Sequence, residues 1–582
     1  MRILGLVGAT HDSGVALLQD GIPQLILEEE RVYREKRTKI FPKRALEAAI
    51  GKGAEGLKHV DVITTPWDVT RLRQTFTKAV LGRMPWSLSL ILQASHAPQD
   101  NEIVRLNAYL TRKLTRRFRI RARDLPPIVG VSHHDAHAAI FFVSPFDEAA
   151  VLVMDGFGDD ASTSAYIGRG NRLERLWYTD IFNSIGMVYT VVTKYLGFEF
   201  SEEGKVMALA AYGGDSYVAA FRDLVRPTPD GRYQVNFDYF DFDAFGELKP
   251  FKRRFFEVFG PPRRPGEELT DRHRDIARAL QVVTEDIVLH MARELRRATG
   301  LRELCISGGV ALNCVANARV LAEAGFDRVW VPPCASDTGA PFGSALWHYH
   351  QTLGRPRAFE LTHPYYGPQY SDHDIKTALA ESGLVGVRME EAELLERVAG
   401  DLASGKIVGW FQGRSEMGPR ALGNRSILAD PRRLETKDLI NARVKYREPF
   451  RPFAPAVLSE RAAEFFIIDQ PDPFMTLAPR VRADKVHLIP AAVHVDGTGR
   501  IQTVERSANP RYYGVIEAFG RLTGVPVLLN TSFNRQEPIV ENPWHAVSCY
   551  LRTNIDVLVI GNYYTSGRTS TGSKKSARTV PA

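Results

Sequence analysis

Apolar residues cluster in two short runs near the start of the chain, Ile3 to Val7 and Val15 to Leu18, with Gly8, His11, Asp12, Ser13 and Gly14 between them. Runs of this length bounded by Gly and polar residues predict two strands, and the polar stretch predicts a hairpin bend that carries functional groups. A turn at Gln19-Asp20-Gly21 then sends the chain back. The pattern recurs where Val151 to Met154 lead into Asp155, Gly156 and Gly158, and Ala161 to Ile167 return. Two like hairpins suggest duplicated halves. A third element, ELCISGGVALNCVANARVLAEAGF, predicts a strand ending at Ser307, a tight turn at Gly308-Gly309 and a helix closed by Gly325. Helix amides there suit an anion, and glycines without Cβ atoms admit a flat nucleoside.

Between these elements the pattern changes. Residues near 65–125 and 215–300 read as largely helical insertions, the second with Ile276, Leu280, Val283, Ile287 and Met291 at helical spacing. The aromatic and acidic run FDYFDFDAF reads as packing, because its aspartates would repel phosphates. A Gly- and Pro-containing stretch near 352–370 marks a domain boundary, so the expected organisation is 1–355, 356–565 and a tail, 566–582. Beyond the boundary, ELLERVAGDLASG predicts a helix, KIVGWF a strand, and Val525 to Leu529 a strand that presents Asn530 to Asn534 at its end. The fold class is α/β throughout.

A chain of 582 residues with 44% hydrophobic content supports two or three such domains. The net charge of +7 changes little, since Arg568, Lys574, Lys575 and Arg578 concentrate in a Ser/Thr/Gly-rich tail expected to be disordered. The remaining body fits small phosphorylated substrates and gives no reason to expect nucleic acid. Cys305, Cys314, Cys334 and Cys549 show no CxxC spacing and read as reduced packing residues. With no long apolar run and no signal-like start, no membrane partner is expected and the chain reads as cytoplasmic. A homo-oligomer stays open.

Two constellations carry chemistry. In SHHDAHAA, helical geometry would set His133 and His137 one turn apart on one face, and two strand-end carboxylates, Asp155 and Asp337, would complete a ligand shell. Mixed His and Asp ligands suit a divalent ion, iron(II) first, with manganese or zinc as alternatives. In the carboxy-terminal half, GPRALGNRSIL, KYREPFRPFAPAV, HVDGTGRIQTV and LLNTSFN gather Arg420, Arg425, Lys445, Arg447, Arg451 and Arg500 with Asn530, Ser532 and Asn534. Guanidinium forks match phosphate oxygens, and prolines 449, 452 and 455 keep KYREPFRP out of a regular helix. No Walker loop occurs, so a phosphate site here relies on side chains.

Taken together, the hairpins, the HxxxH pair and the three carboxy-terminal motifs resemble the NodU/CmcH family of O-carbamoyltransferases, which act on antibiotics, nodulation signals and related metabolites. The resemblance implies an actin-like (ASKHA, tRNA threonylcarbamoyltransferase-like) amino-terminal domain followed by a YrdC-like domain. The second would make carbamoyl-adenylate from ATP and carbamoyl phosphate, and the first would pass the carbamoyl group to a hydroxyl of a small metabolite. Carried over, Arg420, Lys445, Arg451, Arg500, Asn530 and Ser532 would hold ATP and carbamoyl phosphate. His133, His137, Asp155 and Asp337 would hold the metal, Asp12, Gly308, Gly309 and Asn313 the adenylate, and His11 and Lys36 would be catalytic. Lys36 follows the E-E-E-R run of EEERVYREKR, with Arg34 and Arg37 beside it. The first loop, GLVGATHDSG, is shorter than in family members that act on aminoglycosides. The competing readings are a tRNA threonylcarbamoyladenosine-type transferase and a non-catalytic actin-like ATP-binding protein. A hydrogenase-maturation carbamoyltransferase would need paired CxxC knuckles, which the sequence lacks.

Overall fold

The computed structural model describes residues 1–82, 84, 87, 100–245 and 249–567, and the basic residues of the tail lie outside this range. The chain clusters into two compact units. The first holds Met1–Ile26, Lys39–Leu361 and Thr476–Ala478, and the second holds Leu27–Thr38, Thr362–Met475 and the chain from Pro479 on.

In the first unit, β1 (Arg2–Val7), β2 (Gly14–Gln19), β3 (Ile22–Glu28), β4 (Val62–Thr65) and β5 (Ile128–Gly130) form a sheet of order β3-β2-β1-β4-β5. β1 runs antiparallel to β2 and parallel to β4, which is parallel to β5. A second sheet repeats this plan. β6 (Glu148–Met154), β7 (Ala161–Arg169) and β8 (Arg172–Asp180) precede a separate ribbon of β9 (Val225–Pro227) and β10 (Tyr233–Val235), and β11 (Glu303–Ser307) and β12 (Arg328–Trp330) complete the order β12-β11-β6-β7-β8. Here β6 is antiparallel to β7 and parallel to β11, which is parallel to β12. In both sheets a central strand is flanked by its hairpin partner on one side and two parallel strands on the other, so the duplicated hairpins of the sequence extend to duplicated sheets.

Central strands buried on both faces read as continuous apolar runs, as Val151 to Met154 do. The packing against β1 is close enough that a Cβ on Gly5 would collide with the Pro341 carbonyl of the helix Ala340–Leu346. Helices Val69–Gly82 and Leu106–Phe118 lie between β4 and β5 in sequence, and helix Asp271–Thr299 lies between β8 and β11. Ile276, Leu280, Val283, Ile287 and Met291 of that last helix are all buried, as their spacing predicts. The aromatic run does pack: Phe240 meets Phe251 and Phe255 with ring centroids 5.9 Å apart in each case.

The second unit is built on one mixed sheet of β13 (Val387–Arg388), β14 (Val408–Phe411), β15 (Arg425–Ala429), β16 (Ala454–Leu458), β17 (Gln502–Val504), β18 (Val527–Ser532), β19 (Val557–Ile560) and β20 (Tyr563–Thr565). Its order is β13-β20-β19-β14-β15-β18-β16-β17. Helices Glu391–Ala403 and Pro510–Thr523 bury Leu394, Val398, Leu402, Ile516 and Phe519 in one core with Trp410 and Leu528 of the sheet. β18 corrects the sequence reading, because it starts at Val527 and runs on through Ser532. Asn530 therefore lies inside the sheet, opposite Leu428 and Ala454, and does not project from a strand end. A polar residue is tolerated there because its Nδ2 donates to Ala421 O at 3.2 Å and to Gln502 Oε1 at 2.8 Å. Among the described residues no helix is long and apolar enough to cross a membrane.

Candidate functional site

Parallel strands place their carboxyl ends along one edge of a sheet, and ligand sites of α/β proteins gather there. In the first unit the residues just past β1, β4, β5, β6 and β11 include His11, Trp67, His133, Asp155 and Gly308. Helix His133–Ala138 forms as the HDAH spacing requires, so both imidazoles face one way, with Nε2 of His133 and Nε2 of His137 3.2 Å apart. Asp155 Oδ2 lies 3.0 Å from Nε2 of His133 and 3.7 Å from that of His137. Asp337 Oδ1 lies 3.4 and 3.3 Å from the same two atoms. Asp155 does follow a strand, but Asp337 opens a short 3-10 turn, Asp337–Gly339, and ends none. One ligand atom from each of the four residues lies within 4.8 Å of the others, and all four side chains are buried.

The surroundings orient the side chains of the cluster. His133 Nδ1 faces Pro66 O at 3.2 Å, which assigns a proton to Nδ1 and leaves Nε2 turned toward the cluster. The ring stacks on Trp67 at a centroid distance of 4.3 Å, and its amide donates to Asp159 Oδ1 at 2.6 Å. Asp155 Oδ1 accepts from the Gly309 amide at 2.8 Å, turning Oδ2 inward. His134, between the two cluster histidines in sequence, points elsewhere, to Ser164 Oγ at 2.9 Å. Burial and the neighbouring imidazoles hold it well below the usual histidine value. Burial also works against a charged His133, yet the Asp337 and Asp155 carboxylates outweigh it and hold that imidazole well above its ordinary value. Asp337 is the counterpart. Burial would raise it, but His133, His137 and His11 hold it well below. A buried charge set that needs a cation to balance two carboxylates fits a divalent metal.

Because metal and proton compete for the same Nε2, metal uptake at neutral pH should release about one proton, and apparent affinity should rise with pH. Titration calorimetry in buffers of different ionisation enthalpy measures that release. Zero release would mean that His133 is neutral in the metal-free protein.

The glycine pair has a defined task. Gly308 has φ +90°, and a Cβ there would collide with the Met154 carbonyl, whereas a Cβ on Gly309 would reach Asp155 Oδ1 at 2.8 Å. Gly308→Ala should therefore cost about 1–3 kcal/mol or more in stability. Gly309→Ala should leave stability nearly intact and weaken metal binding roughly tenfold by turning Asp155. Thermal melting together with metal analysis separates the two.

His11 stands beside the tetrad, its Nδ1 3.0 Å from Asp12 Oδ2 and 3.8 Å from Asp337 Oδ2, with the ring 36% exposed. Its loop holds Ala9 and Asp12 in left-handed backbone, φ 71° and 59°. Asn313, expected at the nucleotide, caps helix Cys314–Glu323 through Ala316 N at 3.1 Å and pairs with Gln281 at 3.0 and 3.1 Å.

In the second unit, Lys445 is buried, and its Nζ donates to Asn534 Oδ1 at 2.7 Å, to Ser532 Oγ at 3.1 Å and to the Ser532 carbonyl. Burial, Arg447, Lys36 and Arg451 together hold it well below the usual lysine value. Burial, then Arg451 and Arg500, lowers Arg447 to about 9. Lys36 thus belongs to this unit and this group of cations. Arg500 Nε is buried without a hydrogen-bond partner among the described residues. Arg420 lies next to Ala421, whose carbonyl binds Asn530. Arg425, by contrast, is fully buried: its Nη1 donates to the carbonyls of Gln412 and Asn424, and its Nη2 to that of Gly413. It is structural. Lys36, Arg447 and Arg451 act on Lys445, and Arg451 and Arg500 act on Arg447, with Glu448 3.8 Å from Arg451 as a counter-charge; a further anion would stabilise such an excess of cations.

Trp67 and Asp159 escaped sequence reasoning. The only signal was their position just past β4 and β6, which has meaning once the sheet order is known.

The class these features define is a mixed α/β enzyme with an enclosed two-histidine, two-carboxylate cluster and a separate group of cations. The chain belongs to the carbamoyltransferase family, and is a carbamoyl transferase: residues 2–346 match the carbamoyltransferase N-terminus and residues 399–566 the carbamoyltransferase C-terminus. It is 38% identical to nodulation protein NolNO of Sinorhizobium fredii over 96% of this chain and 79% of that protein. It is 42% identical to nodulation protein NolO of Bradyrhizobium diazoefficiens over 74% and 78%. Among solved structures, T. kodakarensis HypF aligns with a TM-score of 0.34 and 13% identity over 61% of this chain and 48% of its own.

Proposed function

We propose that this chain is an ATP-dependent O-carbamoyltransferase that works in two steps on a hydroxyl of a small metabolite. The supporting observation is the presence in one family member of two charged groups of different kind, the buried tetrad and the cation cluster. Residues 1–355 are assigned an actin-like fold, which the duplicated five-stranded sheets of the first unit support, and residues 356–565 a YrdC-like fold, with the segment Leu27–Thr38 clustering with the second unit.

In the second unit, water would cleave the O–P bond of carbamoyl phosphate to give carbamate and phosphate, and the carbamate oxygen would then attack the α-phosphorus of ATP, forming carbamoyl-adenylate as pyrophosphate leaves. Lys36, Lys445, Arg451 and Arg500 neutralise the converging phosphates, and Arg420, Asn530 and Ser532 line the same motifs. Lys445 is pre-oriented by Ser532 and Asn534. Anions bound there would offset the remaining repulsion among its neighbours, so binding energy would be directed at the phosphates.

In the first unit, His133, His137, Asp155 and Asp337 would hold a divalent metal, with iron(II) first and manganese or zinc next. Such an ion polarises an acyl phosphate and stabilises departing negative charge. Gly308 lets the turn pack against the Met154 carbonyl and Gly309 leaves Asp155 Oδ1 undisturbed beside the place where adenylate would lie, and Asp12 orients the His11 ring through Nδ1. His11, the exposed member, accepts the proton of the acceptor hydroxyl. Its ring edge also meets Phe200, centroids 5.7 Å apart, which limits its rotation.

Incubation with ATP and carbamoyl phosphate tests the reading. Release of AMP and pyrophosphate supports it, ADP points to a kinase or ATPase, and no turnover points to an ATP-binding sensor.

A further inference from the structure

We propose that a cavity beside the His11 loop is the acceptor subsite, and that it selects hydroxylated small molecules carrying a carboxylate or phosphate. This rests on the reading of the His11 site as the place of transfer. The cavity has a volume of about 460 Å³, within the span of small-ligand pockets, about 300–1,000 Å³. One wall is Ala9 with Lys39 to Phe41, and the other is helix Leu106–Phe118 of the first insertion.

The first wall connects the cavity to the chemistry. The Ala9 amide donates to the Lys39 carbonyl at 3.2 Å. Ala9 holds a left-handed conformation, and two residues further on His11 faces Asp12 and Asp337. A molecule seated against Ala9 is therefore next to the loop that carries the proposed base.

The second wall sets the charge. Tyr109, Arg112, Lys113 and Arg116 recur at helical spacing along one stripe and all line the cavity, where Lys39 adds a further cation. Glu102 is the one carboxylate in the lining, and it is engaged by Arg112 at 2.7 Å. Lys113 and Arg116 have no carboxylate partner among the described residues. The buried Tyr109 ring supports Arg112 and Lys113, whose cationic atoms lie 5.8 and 5.3 Å from its centroid. Burial pushes its hydroxyl up to about 12, so it stays a neutral hydrogen-bonding group. Like charges stacked on one helix face destabilise the helix unless an anion joins them. A concave pocket of this size, ending at a catalytic loop, fits a small anion better than a polymer.

Equilibrium dialysis with labelled glucuronate, glucose 6-phosphate, glucose and glucosamine, at one low ionic strength and without nucleotide, tests the assignment. At least one of the two anionic sugars should be retained about tenfold better than glucose, glucosamine should be retained least, and the arms tell carboxylate from phosphate. The double substitution Lys113→Glu, Arg116→Glu should abolish the preference, and the milder Arg116→Gln should reduce it with no change in melting temperature. Equal retention of the four sugars, no retention of any, or a preference that survives charge reversal overturns the assignment. Metal-dependent AMP release from synthetic carbamoyl-adenylate, measured on the unaltered protein, is independent. Its absence would sink the transfer reading while leaving the charge preference standing.

Discussion

His137→Ala should strip the first unit of metal and reduce carbamoyl transfer by about a thousandfold, the loss of a Lewis acid worth several kcal/mol. Formation of carbamoyl-adenylate from ATP and carbamoyl phosphate should continue at close to the original rate. The reason is geometric. Among the described residues the polar partners of His137 Nε2 are His133, Asp155 and Asp337, all in the first unit, so its removal opens the tetrad. It also leaves Asp155 and Asp337 as buried carboxylates with one imidazole between them, so a loss of thermal stability should accompany the loss of metal. Plasma emission analysis of metal content, pyrophosphate release and transfer to an acceptor are measured on the same preparation. Simultaneous loss of both half-reactions would refute two separate sites.

Arg451→Ala is the mirror experiment. Adenylate formation should fall by two to three orders of magnitude, roughly the effect of removing one preorganised donor from developing charge. Transfer from supplied carbamoyl-adenylate should persist. Arg451 is preferred to Lys445 because Lys445 satisfies Ser532 and Asn534, so its removal leaves buried acceptors unpaired and confounds stability with chemistry. Arg451 is one of the charges that lower Arg447, and its truncation should relieve that repulsion. A variant that makes adenylate normally but cannot transfer would reverse the assignment of the two units.

Much of the candidate site is legible in the sequence. HxxxH on a short helix fixes the facing of two imidazoles by the helical repeat alone, and Gly308-Gly309 announces a turn that other residues resist. Asp337 was identified for its residue type in ASDTGA, but its neighbourhood is a 3-10 turn that hydrophobic patterning does not reveal. Asn530 shows the opposite error. The end of an apolar run looks like the end of a strand, yet Gln502 and the Ala421 carbonyl, far away in sequence, let the strand continue with a polar residue inside. Lys36 sits in sequence just after β3, while its segment, Leu27–Thr38, clusters with the second unit. No local pattern signals this, because it depends on contacts such as Arg34 donating to the carbonyls of Pro538 and Ile539.

By itself the sequence determined the elements, the duplication of the hairpins, the two chemical constellations and the family, because these depend on periodicity and on residue types close together in the chain. Tertiary structure decided which groups share a space. It brought His133, His137, Asp155 and Asp337 from three separate segments within reach of one another, placed Trp67 and Asp159 around them, and set a basic helix of an insertion across a cavity from Ala9. Such proximities follow from sheet order and packing over hundreds of residues, and strand periodicity carries no record of which strands become neighbours.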